Sequence, residues 1–306
     1  MKQMAMLGLN ALTIWDDYAP INLREVVSFC HEYGIQVTFG YSWGWDEGVD
    51  ALSDQELERW QTLAITKYEH DYLHAKGDGI YFQAFTETTN ETIHGTPIAE
   101  AVVKWTNSIA GAMLSKWPDL KIQFGLHATS VINKIDVLSR VDPRVNIVWE
   151  DVGSFPFAYM SRDTHDLEQT RQLTDRIRHL RPTTDPSDTV GVVLKGQVCL
   201  DWSNFEHQKG PYLLGVRSEK QIAKRREKVR TQWHDVQSYW LKNLSLYRYT
   251  LRQLDGASIY DLVEDASLET DCWFSVALYA LSLWDSHTSD LDLIQLVAQR
   301  SNVVFA

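Results

Sequence analysis

Short apolar segments alternate with longer amphipathic ones along almost the whole chain. Most of the short segments lack strict apolar–polar alternation, which is typical of parallel strands covered on both faces. Alternation of such strands with helices predicts an α/β fold with a parallel sheet. The seven segments predicted as strands are Asn10–Trp15, Ile35–Tyr41, Gly79–Phe85, Lys121–Leu126, Asn146–Trp149, Val190–Leu194 and Ala257–Tyr260.

The segments between the strands carry helix start signals. Ser53 and Glu56 have the spacing of a capping box, and apolar residues follow at helical intervals. Thr96 and Pro97 predict an N-cap followed by a proline at the first position of a helix that extends to about Lys116. Both signals support helices as the connections between the predicted strands.

A closed barrel is favoured over an open, doubly wound sheet. No G-x-G-x-x-G or Walker-type glycine loop follows a predicted strand, which removes the commonest nucleotide-binding reasons for an open sheet. We therefore predict a TIM-type (β/α) barrel that occupies residues 1–306 as one domain. A closed barrel needs eight strands, whereas seven are visible. Two explanations stay open: the first strand is missing because the domain is N-terminally incomplete, or one strand has not been recognised.

Composition and charge exclude several function classes. The formal net charge of −12 at pH 7 would repel a phosphate backbone, so no nucleic-acid partner is expected. The longest apolar runs are too short to span a bilayer and no signal peptide is visible, so no membrane partner is expected. Cys30, Cys199 and Cys272 are odd in number and widely spaced, which argues against a disulfide framework and predicts a reducing, cytoplasmic location.

Acidic residues and tryptophans occur together where functional groups of a barrel are expected. Those groups lie just after the C-terminal ends of the strands, and acidic residues follow six of the seven predicted strands. Because an indole ring can stack on the apolar face of a sugar, we expect a carbohydrate substrate. The residues predicted to bind it are Asp16, Trp43, Trp45, His127, Lys195, Asp201 and Trp202.

Each of these residues has a structural alternative. A hydrogen-bonded core histidine is the commoner outcome for a residue such as His127, and a counter-charge to the surrounding acids is the commoner one for Lys195. A loop carboxylate such as Asp16 is in most proteins simply solvated. The combination of carboxylates with tryptophans in the same loops is what favours a site.

Three carboxyl groups are the candidates for catalysis. Glu87 follows the strand that begins at Gly79, and a carboxyl shielded by aromatic neighbours there can act as a general acid. Glu150 and Asp151 end another strand, and adjacent residues on a strand point to opposite faces, so one of them is expected to face the barrel mouth. Glu150 is favoured, and Asp151 stays open. Glycoside hydrolysis requires two such carboxyls on either side of the scissile bond.

The chain resembles barrel glycoside hydrolases of the α-glucuronidase and β-hexosaminidase type. The resemblance implies that the first strand is missing and that Glu87 follows the fourth, where such families keep their general acid. Two departures from the families are visible: Thr86 replaces the aspartate of the hexosaminidase acid pair, and Lys195 begins only a loose match to the Lys-Asn-Gly-Pro pattern of α-glucuronidases. The segments that carry the resemblance are Leu7–Asp17, Gly77–Glu87, Val148–Gly153, Val192–Gly196 and Asp201–Trp202.

Three functions remain as hypotheses. The leading one is a glycoside hydrolase for an oligosaccharide, including one that bears a uronic acid recognised by Lys195 or an arginine, with no cofactor. The second is a metal-dependent sugar isomerase or epimerase, in which Asp16, Glu87, His127 and Glu150 ligate a divalent ion. The third is a non-catalytic carbohydrate-binding barrel. An oligomer or a partner domain that completes the barrel is compatible with all three.

Overall fold

The structure is a computed structural model. It describes residues 1–16, 18–44, 53–127, 129–150, 167–181, 190–195, 210–216, 218–220, 222–224, 227, 257–263, 273–285 and 287–301.

Helices alternate with strands, as the sequence predicts. The strands are β1 (Ala11–Trp15), β2 (Gln36–Gly40), β3 (Gly79–Gln83), β4 (Thr92–Ile93), β5 (Thr96–Pro97), β6 (Lys121–Leu126), β7 (Val145–Trp149), β8 (Gly191–Lys195) and β9 (Tyr260–Val263). The α-helices are α1 (Lys2–Met6), α2 (Leu23–Glu32), α3 (Asp54–Lys67), α4 (Ile98–Lys116), α5 (Leu167–Arg178), α6 (Trp273–Trp284) and α7 (Asp290–Ser301). A π-helical turn at Tyr68–Tyr72 and 3-10 turns at Leu73–Ala75 and Ile132–Arg140 complete the described elements.

Seven strands form one sheet in the order β1-β2-β3-β6-β7-β8-β9. All neighbouring pairs in this sheet are parallel. The strands follow one another in chain order, whereas a doubly wound sheet reverses its order at a switch point. Because crossovers are right-handed, strands added in one direction bring their helices to one face, and the sheet curls around the other. The predicted α/β fold of the TIM type is therefore confirmed.

The two faces of the sheet pack into separate apolar clusters. Alternate strand residues point outward, where Val37, Phe39 and Phe82 belong to the large core shared with the helices. The residues between them point into the barrel. The inner cluster comprises Tyr81, Val148 and Val193, with Trp15 and Ile259 packed against them.

Two glycines make room for large side chains inside the barrel. A Cβ at Gly40 would collide with the indole of Trp15 on the neighbouring strand, and a Cβ at Gly125 would collide with the hydroxyl of Tyr81. Both aromatic side chains therefore lie across the backbone of an adjacent strand. This arrangement brings the Tyr81 hydroxyl toward β7.

The element boundaries are close to the predicted ones, with two corrections. Ser53 caps α3 as predicted, because its hydroxyl accepts a hydrogen bond from the backbone N–H of Glu56 at 3.4 Å. The helix predicted to begin at Pro97 begins one position later, with Pro97 as its N-cap. The last strand was predicted too early in the chain, since β9 starts at Tyr260 and continues through Asp261. None of the described helices is both long and apolar enough to cross a membrane.

Candidate functional site

The loop after β3 is anchored to the end of β6, and this fixes the position of Glu87. Thr86 is fully buried, and its carbonyl accepts hydrogen bonds from the backbone N–H of Ser130 at 3.1 Å and from the Ser130 hydroxyl at 2.9 Å. The Thr86 hydroxyl accepts from the backbone N–H of His127 at 3.3 Å. Glu87 follows directly, and its Oε1 lies 3.0 Å from Nε2 of His127. The Glu87 side chain is 39% exposed, whereas that of His127 is 7% exposed.

Glu150 directly follows β7, and two hydrogen-bond donors from β3 hold its carboxylate. Its backbone N–H donates to the Leu126 carbonyl at 3.0 Å, which continues the ladder between β6 and β7. Its carboxylate accepts hydrogen bonds from the Tyr81 hydroxyl and from Nε2 of Gln83 at 3.3 Å. Glu150 is 2% exposed. Donors aimed at a buried carboxylate favour its ionised form.

Gln83 and His127 connect the two glutamates. Nε2 of Gln83 lies 3.3 Å from Nε2 of His127, so successive contacts lead from Glu87 to Glu150. The contacts of 3.0, 3.3 and 3.3 Å limit the separation of the two carboxylate oxygens to less than about 10 Å, which is the range of the carboxyl pairs of glycoside hydrolases. A proton on Nε2 of His127 makes the ring a donor to Glu87, and an unprotonated Nε2 accepts from the Gln83 amide.

Asp261 is a further carboxyl in the barrel interior. It lies opposite Val193 in the β8–β9 pairing, on the face that contains the inner apolar cluster. Its side chain is partly exposed. Burial, and after it the negative charge of Glu150, raise the pKa of Asp261 to about 7. Two carboxyls with different proton affinities therefore share one region of the site.

Asp16 lies directly after β1 and contacts a segment that comes after β8 in the chain. The Tyr212 hydroxyl donates a hydrogen bond to Asp16, and the pKa of Tyr212 is raised by burial and by the Asp16 charge. Residues 210–216, which we call the strap, are attached beside β1. The backbone N–H of Ile21 donates to the Tyr212 carbonyl at 2.8 Å, and Asn22 exchanges two hydrogen bonds with the Leu214 backbone, at 2.9 and 3.1 Å.

Trp43 does not line the site, which corrects the prediction that it binds substrate. It is fully buried on the outer face of the sheet, and its ring stacks on Phe82 with centroids 3.7 Å apart. Its carbonyl accepts a hydrogen bond from Nε1 of Trp105 at 2.7 Å. Since the chain turns outward after β2, the ring packs between sheet and helices instead of facing a sugar.

Several predicted site residues fall outside the part of the chain that the structure describes. These are Trp45, Asp151, Asp201 and Trp202. Lys195 is the last residue of β8, and its side chain is also outside the described part. The predicted residues that the structure brings together are thus Glu87, His127 and Glu150. Asp16 follows the C-terminal end of β1, at the same edge of the sheet.

No role was predicted for Tyr81 or Gln83, and Asp261 was predicted only as one of the acidic residues that follow a strand. A signal for the first two exists, because they alternate with Ile80 and Phe82 along β3 and so share one face. Polar groups at inner positions of a covered strand are expected to hydrogen-bond to one another. Once β7 is known to face the same barrel interior as β3, this alternation predicts that Tyr81 and Gln83 are the hydrogen-bond partners of Glu150.

A cluster suited to a metal ion is not found among the described side chains. No group of three or more His, Cys, Asp or Glu side chains within the described ranges is arranged to hold a cation. The ligand set of the isomerase hypothesis, Asp16, Glu87, His127 and Glu150, therefore does not converge in this structure as a metal site.

Comparisons with known proteins return structures of the same fold class at low identity. No protein-family model and no curated protein matches the chain. The structure is similar to the endo-β-N-acetylglucosaminidase of Cordyceps militaris, with 9% identity, coverage of 90% of this chain and 81% of that one, and a TM-score of 0.47. It is also similar to dispersin B, with 12% identity, coverage of 88% and 76%, and a TM-score of 0.39.

An epimerase is among the similar structures as well. The match to D-psicose 3-epimerase of Clostridium cellulolyticum H10 has 11% identity, coverage of 98% of this chain and 89% of that one, and a TM-score of 0.41. Because these TM-scores are below 0.5, the likenesses carry no argument about substrate or mechanism.

Proposed function

We propose that this protein is a glycoside hydrolase that acts on an oligosaccharide, with Glu87 as general acid and Glu150 as base or nucleophile. The observation that carries this proposal is the line of contacts from Glu87 through His127 and Gln83 to Glu150. These groups lie at or just beyond the C-terminal ends of β3, β6 and β7, where barrel enzymes carry their catalytic residues. Asp151 remains the alternative to Glu150.

The two glutamates differ in the way this reaction requires. Glu150 is buried and accepts hydrogen bonds, so it is ready to take a proton from water or to attack the anomeric carbon. Glu87 is partly open to solvent and can donate its proton to the leaving oxygen. The glycosidic C–O bond breaks as one proton passes from Glu87 to the leaving oxygen. In one route water attacks the anomeric carbon and gives its proton to Glu150. In the other route the Glu150 carboxylate bonds to that carbon, and water later displaces it and gives its proton to Glu87.

His127 supports the proposed acid. Its ring is buried and lies against the Glu87 carboxyl, so it limits the orientations that this side chain can adopt. A fixed carboxyl loses less entropy when the leaving oxygen must be protonated. His127 is therefore proposed as a positioning residue.

We also propose that the substrate contains a uronic acid. It rests on Lys195, which ends β8 between the strands that carry Glu150 and Asp261. A cation there would pair with the carboxylate of a uronosyl ring. Comparison of uronosyl glycosides with their neutral counterparts tests this part of the proposal separately from hydrolysis itself.

The test is product release from uronosyl and neutral glycosides by the wild type, with and without EDTA, and by Glu87→Gln. We expect chelator-insensitive cleavage that falls by about 10²- to 10⁴-fold in the variant. The loss should be much smaller for aryl glycosides with acidic phenol leaving groups, since these need little protonation. Glu91→Gln is the matched control: Glu91 lies in the same loop, where its carboxylate accepts from Asn133 at 2.8 Å.

Three outcomes would contradict the proposal. Equal rates for Glu87→Gln and Glu91→Gln would remove Glu87 from the acid role. Loss of cleavage in EDTA would make the reaction metal-dependent and would contradict the cofactor-free roles of the two glutamates. Sugar binding without product from any glycoside would favour the non-catalytic barrel.

A further inference from the structure

Glu150 and Asp261 occupy equivalent positions on the two strands that flank β8. In the β7–β8 pairing Trp149 lies opposite Val192, so Glu150, one residue further along, is level with Val193. In the β8–β9 pairing Val193 lies opposite Asp261. Residues at the same level of neighbouring parallel strands share a face, and Val193 belongs to the inner cluster. Both carboxyls therefore point into the barrel, separated by one valine.

The spacing of the strands brings the two carboxyls within electrostatic reach. Adjacent strands are about 4.8 Å apart, so the backbones that carry Glu150 and Asp261 are roughly 10 Å apart. The curl of the sheet turns both side chains toward a common interior. Two carboxylates this close in the barrel interior do not both ionise readily, because their charges repel.

Hydrogen bonding decides which of the two carboxyls holds the proton. Glu150 accepts from Tyr81 and from Gln83, and these donors favour its ionised form. Asp261 faces that charge from β9, with Tyr260 beside it on the strand and the buried Tyr279 of α6 nearby. The strand between the two carboxyls, β8, ends at Lys195. The negative charge therefore resides on Glu150 and the proton on Asp261.

We propose that Asp261 and Glu150 share one proton in the free protein, that Asp261 holds it, and that the Asp261 O–H donates a hydrogen bond to a hydroxyl oxygen of the bound sugar. The assignment of a sugar as the acceptor rests on the proposed glycoside hydrolase function. The pairing of the two carboxyls does not rest on it. Asp261 is thus a substrate-binding residue that works in its neutral form, while Glu150 works in its ionised form.

Loss of the proton would turn a donor into a charged acceptor. Asp261, whose pKa burial raises to about 7, is neutral in mildly acid solution and ionises as the pH rises through that value. An ionised Asp261 repels both Glu150 and the lone pairs of a sugar hydroxyl. Sugar binding is therefore expected to weaken on the alkaline side, as an increase in KM with little change in kcat.

Infrared spectroscopy tests the shared proton without any substrate. We expect the carbonyl stretch of a buried protonated carboxylic acid at pH 5.5, lost as the pH rises through about 7. The band should be absent in Asp261→Asn, and in Glu150→Gln its midpoint should move about one pH unit or more toward acid, because the charge that favours the proton is gone. Persistence of the band in Asp261→Asn, or no such band in the wild type, would overturn the proposal.

Kinetics then test the role of Asp261 toward the sugar. An asparagine imitates the protonated aspartate because its amide also donates, so Asp261→Asn is expected to lose the alkaline rise in KM. Asp261→Leu, which cannot donate, should show a raised KM throughout the pH range. An inactive Asp261→Asn that retains its fold would overturn the binding role. If the wild type cleaves no glycoside, the hydrolase proposal fails. The infrared result still tests whether Asp261 holds the proton that it shares with Glu150.

Discussion

The missing Cβ of Gly125 determines where the Tyr81 hydroxyl can lie. A methyl group there would collide with this hydroxyl and would lie 3.0 Å from Cγ of Gln83. Gly125→Ala is expected to displace both donors from Glu150 and to lower the free energy of unfolding by about 1–3 kcal/mol, the usual cost of overpacking. Urea denaturation measures the loss.

Gly111 provides the matched control for that substitution. It lies within α4, and a Cβ built on it meets nothing within 4 Å. Because alanine is the better helix former, Gly111→Ala is expected to raise the free energy of unfolding by about 0.5–1 kcal/mol. A loss at Gly111 as large as that at Gly125 would show that backbone freedom, and not the Tyr81 contact, sets the cost.

Asp261 makes stability depend on pH in the direction opposite to that of a paired aspartate. Burial raises its pKa from 3.8 to about 7, so the folded state holds the proton more tightly than the unfolded state. The free energy of unfolding therefore falls as the pH rises from about 4 to 7, by up to about 4 kcal/mol. Asp261→Asn should abolish this dependence.

Thermal unfolding at pH 5 and pH 8 measures the effect. The difference between the two pH values should be larger for the wild type than for Asp261→Asn. Asp119→Asn, at an exposed position, should leave the wild-type difference unchanged. Equal differences in all three proteins would contradict the proton on Asp261.

The sequence predicts the positions of some site residues better than that of Asp261, for a simple physical reason. Glu87 and Glu150 follow apolar strands, and such positions can be recognised along the chain. Asp261 lies within a strand, and a carboxylate normally signals the end of one, so the predicted strand stopped at Tyr260. Only the packed barrel interior, where a neutral carboxyl is tolerated, explains a strand that includes it.

A single arginine connects the end of α5 to the start of β7. Arg181 donates to the carbonyls of Val145 at 2.8 Å, Val141 at 2.9 Å and Asp142 at 3.2 Å. Arg181→Ala would leave these partly buried carbonyls without their charged donor, so we expect the free energy of unfolding to fall by about 2 kcal/mol. Chemical denaturation is the measurement.

Arg144 is the control within the same connection. Its guanidinium is exposed and pairs with the Asp142 carboxylate at 2.6 Å, which holds the pKa of Asp142 below its usual range. Arg144→Ala is expected to cost much less than Arg181→Ala, since solvent screens an exposed pair. Equal losses would mean that charge near Asp142, and not the carbonyl contacts, joins α5 to β7.

The helices and strands were easier to predict than the paths of the loops that follow them. The extent of β6 and the cap of α3 agree with prediction because both depend on neighbours in the sequence. Trp43 was predicted as a sugar platform and is instead core, because the turn after β2 directs it toward Phe82. That direction depends on the α4 residue Trp105, which lies far along the chain and donates to the Trp43 carbonyl.

The strap attaches the segment at 210–216 to the beginning of the sheet. Asn22→Ala would remove both hydrogen bonds to the Leu214 backbone, at a cost of about 1–2 kcal/mol. We expect faster amide hydrogen exchange at Leu214 and Tyr212 and easier cleavage of the strap by protease. The contact of Tyr212 with Asp16 should weaken at the same time.

Asn107 is a matched asparagine elsewhere in the molecule. It also makes two hydrogen bonds to backbone groups, to the Arg140 carbonyl at 2.9 Å and from the Asp142 N–H at 2.7 Å. Asn107→Ala should lower the free energy of unfolding by a similar amount without changing exchange in the strap. Equal protease sensitivity of the strap in both variants would show that global unfolding, and not local release, exposes it.

The order of strands in the whole sheet could be predicted, whereas its long-range attachments could not. Alternating strands and helices without a nucleotide-binding glycine loop already favour a barrel order. The hydrogen bonds between Asn22 and Leu214 involve ordinary loop residues, and no local pattern marks them as partners. Such contacts depend on the finished curl of the sheet.

The attachment of the strap also has a consequence for the timing of biosynthesis. Asn22 and Leu214 are separated by 192 positions, and ribosomes add about 5–20 residues each second. The beginning of the sheet therefore leaves the ribosome roughly 10–40 s before its partner is made. During that interval the end of β1 and Asp16 remain uncovered on the nascent chain, and a chaperone that binds them would have to depart before Tyr212 can take its place.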